Sequence, residues 1–583
     1  MGPDRSRPLV AGVTAGRMMA HEQHSVLEPG TRDDEESPPP RATAAGRSPR
    51  PGRRRLLPLL VFVLLAQLAA AMITTAVQQT PTIDEPIYVA TAADYLHEHR
   101  VRFNPEHPPL GKLVIAVGVA VAAPHVDTAH RGDQSRFGTR LLYASGNDPW
   151  RLMFWARLPV IVLTLLFGLV VFAFARELAG AKAGLAALAL YAFSPDVIAH
   201  GSLATLDVPA AGFVLTSAWL LWRARRRPRL YVPLGGLALG AGLATKMSVL
   251  PVVPVLVALG AWSVWRAGTG ERRGALRRSG AGAAVVAAVA VAVVWLSYLV
   301  VDPRLRWTPE PHQPVPAVHG LKGLLVRLLP LPASYRDGMR IQFGLEDHPW
   351  QGFLFGHLYT GSRWYYLPAA LLVKTPLGML ALWIAGAVAM VAVRRLRPAA
   401  PYVLLPAAVL LAAAMTGSRN FGTRYAIFVP MFLAVAAGCV LMARWRWAPL
   451  VTGVLVLFVA VSSARTYPYY LPYSNEAFGG PAKTRLRLHD SNVDWGQDLG
   501  RLADRLRERY RGERVWLVYK GSGVPSYYGI DASDPRKVAP RRVHGLLVVS
   551  DSAAAKARGR LAELIDSSRP IDEVGHSITL YRR

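Results

Sequence analysis

The sequence predicts a polytopic α-helical membrane protein of about eleven transmembrane helices, followed by a small extracytoplasmic α/β domain. Three observations carry this. The 583 residues are 52% hydrophobic with a mean hydropathy of +0.24, and only 18% are charged, against about 25% in ordinary soluble domains. Apolar runs recur from residue 56 to residue 464, many close to the ~20 residues a helix needs to cross a bilayer. Beyond 464 the pattern changes to short β-like runs separated by helical ones.

Residues 1–55 are rich in Pro, Arg, Gly, Ser and Ala, with "DDEE" at 33–36. Too few apolar side chains are present to build a core, so a disordered cytoplasmic tail is expected. Arg53-Arg54-Arg55 then precedes the apolar run 56–77. A cleavable signal peptide competes for this run, because "AQLAAAM" offers small residues. Signal peptides begin near the N-terminus, and 55 residues come first here; a retained helix is expected. The remaining spans fall at 153–175, 183–200, 205–222, 231–247, 249–265, 281–301, 367–391, 401–415, 425–442 and 447–464. Pro251 and Pro254 interrupt the stretch 231–265, which makes that pair the least regular. Residues 110–123 are short for a crossing and would lie along the interface or form a re-entrant arm.

Charge placement orients the helices. With the N-terminus inside, "RARRRPR" (223–229), "RAGTGERRGALRR" (266–278), "RRLR" (394–397) and "RWR" (444–446) all become cytoplasmic, as the positive-inside rule requires. Counting 110–123 as a crossing would invert every later loop. Much of the net charge of +29 is therefore topology signal, not a nucleic-acid footprint, and no nucleic-acid partner is expected. The membrane part, 56–464, presents loops 78–152 and 302–366 outside, and 465–583 forms the α/β domain. Its strands are expected at 515–519, 545–550 and 577–581, with helices at 495–510 and 552–565. The single cysteine, Cys439, excludes a disulfide framework and a Cys-rich metal site.

Four polar constellations stand at the outer face. "TIDEPIYVATAADYLHEHRVRFNPEHPPLGK" (82–112) opens on Asp84 and Glu85 and includes Tyr88, His107 and Lys112. Helix capping explains the acid pair locally, since Pro86 suits a first turn; ionisable groups near a membrane are also kept where they act or pair. "SPDVIAHGSLATLDVPAAGF" (194–213) places Asp196, His200 and Asp207 on the same face. Two carboxylates from separate helix ends suit acid–base chemistry or a metal. Lys112, Lys246, Lys374, Arg419 and Arg424 fall at outer ends of spans. Snorkelling explains any one of them, whereas together they could surround a phosphate. "PYSNEAFGGPAKTRLRLHDSNVDWGQDLGRL" (472–502) carries Asn492, Asp494 and Trp495. Ser491 or Asn492 could cap a helix there, which leaves "YSNEAFGG" unexplained.

The segments "TIDEPIYVATAADYL", "NPEHPPLGKL", "ATLDVPAAGF", "VKTPLG", "GTRYAIFVP", "YSNEAFGG" and "DSNVDWGQDL" resemble lipid-carrier-dependent glycosyltransferases of the GT-C class. They resemble protein O-mannosyltransferases and lipid A aminoarabinose transferases in particular, and the motifs look like a bacterial branch. The resemblance implies transfer of a sugar, with mannose as the family-weighted guess, from a polyprenyl-phosphate donor to a protein, lipid or polysaccharide hydroxyl outside the cytoplasm, with inversion. It implies a multi-pass protein of the plasma (inner) membrane, N-terminus cytoplasmic and C-terminal domain extracytoplasmic. It assigns catalysis to Asp84, Glu85 and Asp207, and donor phosphate to Lys112 and Arg424, with Lys374 and Lys246 beside them. Tyr88, His107, Asn492, Asp494 and Trp495 become acceptor or loop contacts. Metal dependence stays open; a divalent ion, if used, would be held by Asp84 and Asp207. The competing class is a transporter or flippase of lipid-linked sugars, which would place ionisable groups near the bilayer midplane.

Overall fold

The computed structural model describes residues 51–127, 132–268, 272–306 and 314–583, with only the helical backbone of 51–55. The tail expected over 1–55 lies outside the described residues up to 50, and the first helix already starts at Pro51. Among the described residues, eighteen helices of seven or more residues lead to the C-terminal part. They are α1 (Pro51–Gln78), α2 (Glu85–Glu98), α3 (Pro109–Ala122), α4 (Gln134–Tyr143), α5 (Pro149–Ala179), α6 (Ala181–Ala192), α7 (Pro195–Gly201), α8 (Asp207–Ala224) and α9 (Pro228–Thr245). There follow α10 (Val253–Ala267), α11 (Arg272–Val301), α12 (Gly320–Leu328), α13 (Ala333–Asp347), α14 (Tyr366–Lys374), α15 (Leu377–Ala392), α16 (Ala400–Met415), α17 (Phe428–Gly438) and α18 (Ala448–Thr466).

Among the described residues, five helices are long and apolar enough to cross a bilayer: Leu56–Gln78, Pro149–Ala179, Met247–Ala267, Arg272–Val301 and Ala448–Thr466. The pair α6–α7, bent by 61°, would be a sixth. The chain is thus a multi-pass helical membrane protein. Lipid-facing character is visible on α18, where Leu450, Val454, Leu457 and Val461 stand exposed at helical spacing. Where α3 crosses α5, the backbones touch: a Cβ on Gly118 would lie 1.8 Å from the Trp155 carbonyl oxygen. Residues 110–123 do form a helix packed within the bundle.

Two expected spans are not continuous. The run 183–200 breaks at Ser194-Pro195, where the Ser194 hydroxyl accepts from Val197 N–H at 3.5 Å and starts α7. The run 367–391 breaks between α14 and α15 at Thr375-Pro376, because proline lacks the N–H that would continue the ladder. The orphaned carbonyls are taken up by Asn475, whose amide donates to Leu372 O at 2.7 Å and Thr375 O at 2.9 Å. Its backbone N–H donates to Val373 O at 2.9 Å. That stitch accounts for the asparagine of "YSNEAFGG". A further break at Lys246, in extended conformation, is followed by a 3-10 turn, Met247–Val252.

In loop 302–366 strands β1 (Gln351–Leu354) and β2 (His357–Thr360) form a hairpin. After α18 come α19 (Leu499–Arg509), β3 (Val515–Val518), β4 (Ala532–Ser533), β5 (Leu546–Ser550), α20 (Asp551–Ala554), α21 (Arg560–Asp566), β6 (Arg569–Val574) and β7 (Ile578–Arg582). The sheet runs β4-β3-β5-β7-β6, parallel around β3 and antiparallel around β7. The edge strand β6 contains Pro570 and is exposed over its first half, which hides it from period-two pattern reading. The helix expected from 495 starts at Leu499, and that expected over 552–565 is two short helices. Ser491 and Asn492 are not caps: they lie in a 3-10 turn, and their side chains bond residues of the membrane part.

Candidate active site

The segment before α2 is fixed by a stretch more than 400 residues away. Thr80 N–H donates to Gln497 O and Ile83 N–H to Trp495 O, both at 3.0 Å, and Thr80 Oγ1 donates to Gly496 O at 3.0 Å. Gly496 has φ +90°, and a Cβ there would lie 2.8 Å from Gly521 Cα, so only glycine suits the turn. "TIDE" and "DWGQD" thus form one unit. Asp84 and Glu85, adjacent in sequence, then meet opposite environments.

Glu85 is fully buried. Its Oε1 accepts from Arg157 Nε and Ala204 N–H, each at 2.8 Å. Its Oε2 accepts from Arg157 Nη2 at 2.7 Å, Thr82 N–H at 2.9 Å and Thr82 Oγ1 at 3.0 Å. Burial by itself would raise this carboxyl's pKa; the Arg157 charge and the donated hydrogen bonds outweigh burial and hold it below its ordinary 4.5. Arg157 also donates to the carbonyls of Ala76, Gln79 and Thr80. Both carboxylate oxygens of Glu85 are thus occupied by donors.

Asp84 occupies the N-cap position of α2 yet makes no side-chain cap bond, so the capping expectation fails for it. Its Oδ2 instead accepts from Arg424 Nη1 at 2.5 Å, and its side chain is 25% exposed. Arg424 comes from a 3-10 turn, Thr423–Ala426, before α17. It stacks 4.3 Å over the buried Trp495 ring and donates to Tyr425 OH at 3.2 Å. The Tyr425 ring in turn faces Lys246 Nζ at 5.5 Å, and Lys246 donates to buried Asp207 at 2.5 Å. A continuous chain of contacts, Asp84–Arg424–Tyr425–Lys246–Asp207, therefore joins two carboxylates and two cations from four separate segments. Tyr88 is buried with its ring 5.8 Å from His107. His107 is held neutral, well below its usual pKa, by burial and then by the charges of Lys246, Lys112, Arg419 and Arg424.

The other expected residues are placed differently. Lys112 is buried and donates to Asn104 O at 2.8 Å, His107 O at 2.7 Å and Asn104 Oδ1 at 3.2 Å. All three ammonium protons are thus committed to its own loop. Lys374 donates to Leu471 O at 2.5 Å and Asn492 O at 3.0 Å, with Asp196 at 3.7 Å. Asn492 accepts from Thr423 N–H at 3.0 Å and donates to Tyr366 OH at 2.9 Å, which holds the turn bearing Arg424. Asp494 accepts from Gly496 N–H and Ser552 N–H, each at 3.1 Å. Lys112, Lys374, Asn492 and Asp494 are each engaged in hydrogen bonds to neighbouring segments.

Asp84 and Asp207 each face a cation, and among the described residues no three His, Cys, Asp or Glu side chains are grouped to hold a metal ion. The arrangement does not fit the ion that Asp84 and Asp207 would share. Arg157 escapes the sequence reading of the site, while His200, present in the constellation 194–213, is given no role there. Arg157 is a lone cation within the apolar run 153–175 and pairs with an acid 72 positions away; its rarity in such a run was the available signal. His200 is fully buried against Trp495, with neither ring nitrogen bonded.

Residues 61–302 match the sequence model of the family described as dolichyl-phosphate-mannose-protein mannosyltransferase. No curated protein matches the chain. Apo ArnT from Cupriavidus metallidurans is similar at 17% identity, covering 91% of this chain and 98% of that one, with TM-score 0.45. The S. cerevisiae Pmt1-Pmt2 complex bound to the sugar donor gives 17% identity, 42% and 33% coverage and TM-score 0.33. The apo oligosaccharyltransferase of Archaeoglobus fulgidus gives 13% identity, 78% and 58% coverage and TM-score 0.47. The chain is a multi-pass helical membrane protein that resembles the GT-C lipid-carrier-dependent glycosyltransferases. Within that class it resembles the O-mannosyltransferases, over the stretch holding Asp84, Glu85 and Asp207.

Proposed function

We propose that the chain transfers a sugar, with mannose the first candidate, from a polyprenyl-phosphate donor to an acceptor hydroxyl on the extracytoplasmic face, with inversion at the anomeric carbon. The observation that carries this is the contrast within the acid pair. Glu85 has no free acceptor site, whereas Asp84 is partly exposed and engages a single cation. Asp84 is therefore the base and Glu85 the residue that fixes the start of α2 beneath it. In the reaction the acceptor O–H gives its proton to Asp84 as its oxygen bonds the anomeric carbon. The bond from that carbon to the phosphate oxygen breaks, and the electron pair leaves with the lipid phosphate. Arg424 and Lys246 are placed to receive the growing negative charge, Asp207 holds Lys246, and Lys112 and Lys374 position their loops. No step is assigned to a metal.

The test is transfer from labelled polyprenyl-phosphate sugars in membranes. Asp84→Asn, which keeps the shape and an acceptor oxygen, is expected to lose activity about 10²-fold or more. Unchanged transfer by Asp84→Asn removes the base assignment. A transporter remains the second reading, favoured by the bent pair α6–α7, since discontinuous helices carry transporter sites. Movement of donor across vesicles without transfer would select it.

A further inference from the structure

A second polar–apolar site lies away from the Asp84 cluster, where α11 meets the loop before α13. A cavity of about 580 Å³ is lined by Val291, Trp295, Leu305, Leu331, Ser334 and Arg336, among others. The volume is in the range of ligand sites. Trp295 Nε1 donates to Pro330 O at 2.9 Å, which ties the loop to α11. Among the described residues Arg336 makes no ion pair or side-chain hydrogen bond, while the neighbouring Asp337 is engaged by Arg340 at 2.5 Å. The lining thus offers a hydrocarbon floor and one uncommitted guanidinium.

The surroundings identify the medium. On α12, Leu321, Leu324, Leu325 and Leu328 repeat at i, i+3, i+4 and i+7 and are 73%, 51%, 48% and 70% exposed, while Val326 packs inward. On α11 beside the cavity, Leu296, Leu299 and Val300 also face outward. A short helix with a leucine face next to the end of a crossing helix is what an interfacial helix presents to lipid. Tyr335 of α13, between the lining residues Ser334 and Arg336, donates to Leu243 O at 3.3 Å, which ties this region to the Lys246 end of α9.

We propose that this cavity binds an anionic phospholipid, its phosphate on Arg336 and one acyl chain along Val291 and Trp295, with α12 lying in the same interface. The inference needs the membrane-spanning reading but not the transfer chemistry, so a failed transfer assay leaves it standing.

The test uses the purified full chain in nanodiscs of phosphatidylcholine, alone or mixed with phosphatidylglycerol, and native mass spectrometry to count retained lipid. Wild type should retain phosphatidylglycerol over phosphatidylcholine by about tenfold, because the choline cation opposes the Arg336 charge that both phosphates meet. Arg336→Gln should abolish that preference, Arg336→Lys should keep part of it, and Val291→Trp, which fills the floor, should remove retained lipid of both kinds. Thermal unfolding in phosphatidylcholine, expected unchanged for Arg336→Gln, separates loss of binding from loss of fold. Equal retention by wild type and Arg336→Gln overturns the proposal. So does displacement of the lipid by inorganic phosphate, which would mark a free-anion site, or by polyprenyl phosphate, which would make the cavity part of the donor site.

Discussion

Replacing Glu85 by Gln should destabilise the protein more than any other isosteric change near the site. The carboxylate receives five donors, two on Oε1 and three on Oε2. Glutamine offers one oxygen and one NH₂. Whichever way the amide is turned, at least two buried N–H groups lose their acceptor, one of them on Arg157, whose side chain is 1% exposed. Two orphaned donors at about 1–3 kcal/mol each agree with the about 3–5 kcal/mol expected when one partner of a buried ion pair is removed. That is a large part of the roughly 5–15 kcal/mol that holds a typical domain together. The assay is thermal unfolding of the detergent-solubilised chain, with Asp84→Asn alongside. The midpoint should fall clearly for Glu85→Gln and little for Asp84→Asn. Adding Arg157→Met should not recover the loss, because the carbonyls of Ala76, Gln79 and Thr80 then lose their donor as well. Because the folded pKa of Glu85 is depressed, its contribution is complete above 4.5 and is lost only as pH falls through the lower folded value. Wild-type and Glu85→Gln midpoints that coincide at neutral pH would refute the reasoning.

Lys246→Met should strand buried Asp207 and cost about 3–5 kcal/mol; adding Asp207→Asn should restore the unfolding midpoint while leaving transfer impaired. Burial pushes the Asp494 carboxyl up to about 7, against the opposing pull of Lys520. A raised acid pKa means the folded state holds its proton longer, so stability should decline as pH rises from the ordinary carboxylate range through about 7. Asp494→Asn should flatten that decline in a melting series. His200→Phe should raise the melting midpoint by the equivalent of about 1–3 kcal/mol, the cost of buried unbonded polar atoms; a lower midpoint would show that the imidazole is bonded in the protein.

Much of this was legible along the chain, and the reasons differ by residue. Apolar runs marked the helical segments, yet not their interruptions, because a break at Ser194 or Thr375 is tolerable only when a partner such as Asn475 takes the freed carbonyls. The acid pair, Asp207, Lys246 and Arg424 were visible as ionisable groups at the ends of apolar runs. Lys112 and Lys374 looked the same, and only their hydrogen bonds to carbonyls distinguish them.

The sequence by itself determined a helical membrane protein, its polar face and the candidate acids, because solvation by lipid restricts composition residue by residue. Tertiary structure decided which of Asp84 and Glu85 is saturated by donors and which stays partly exposed. That depends on Arg157, Ala204 and Arg424, distant in sequence, and hydrogen-bond saturation is a property of three-dimensional neighbours that no local pattern encodes.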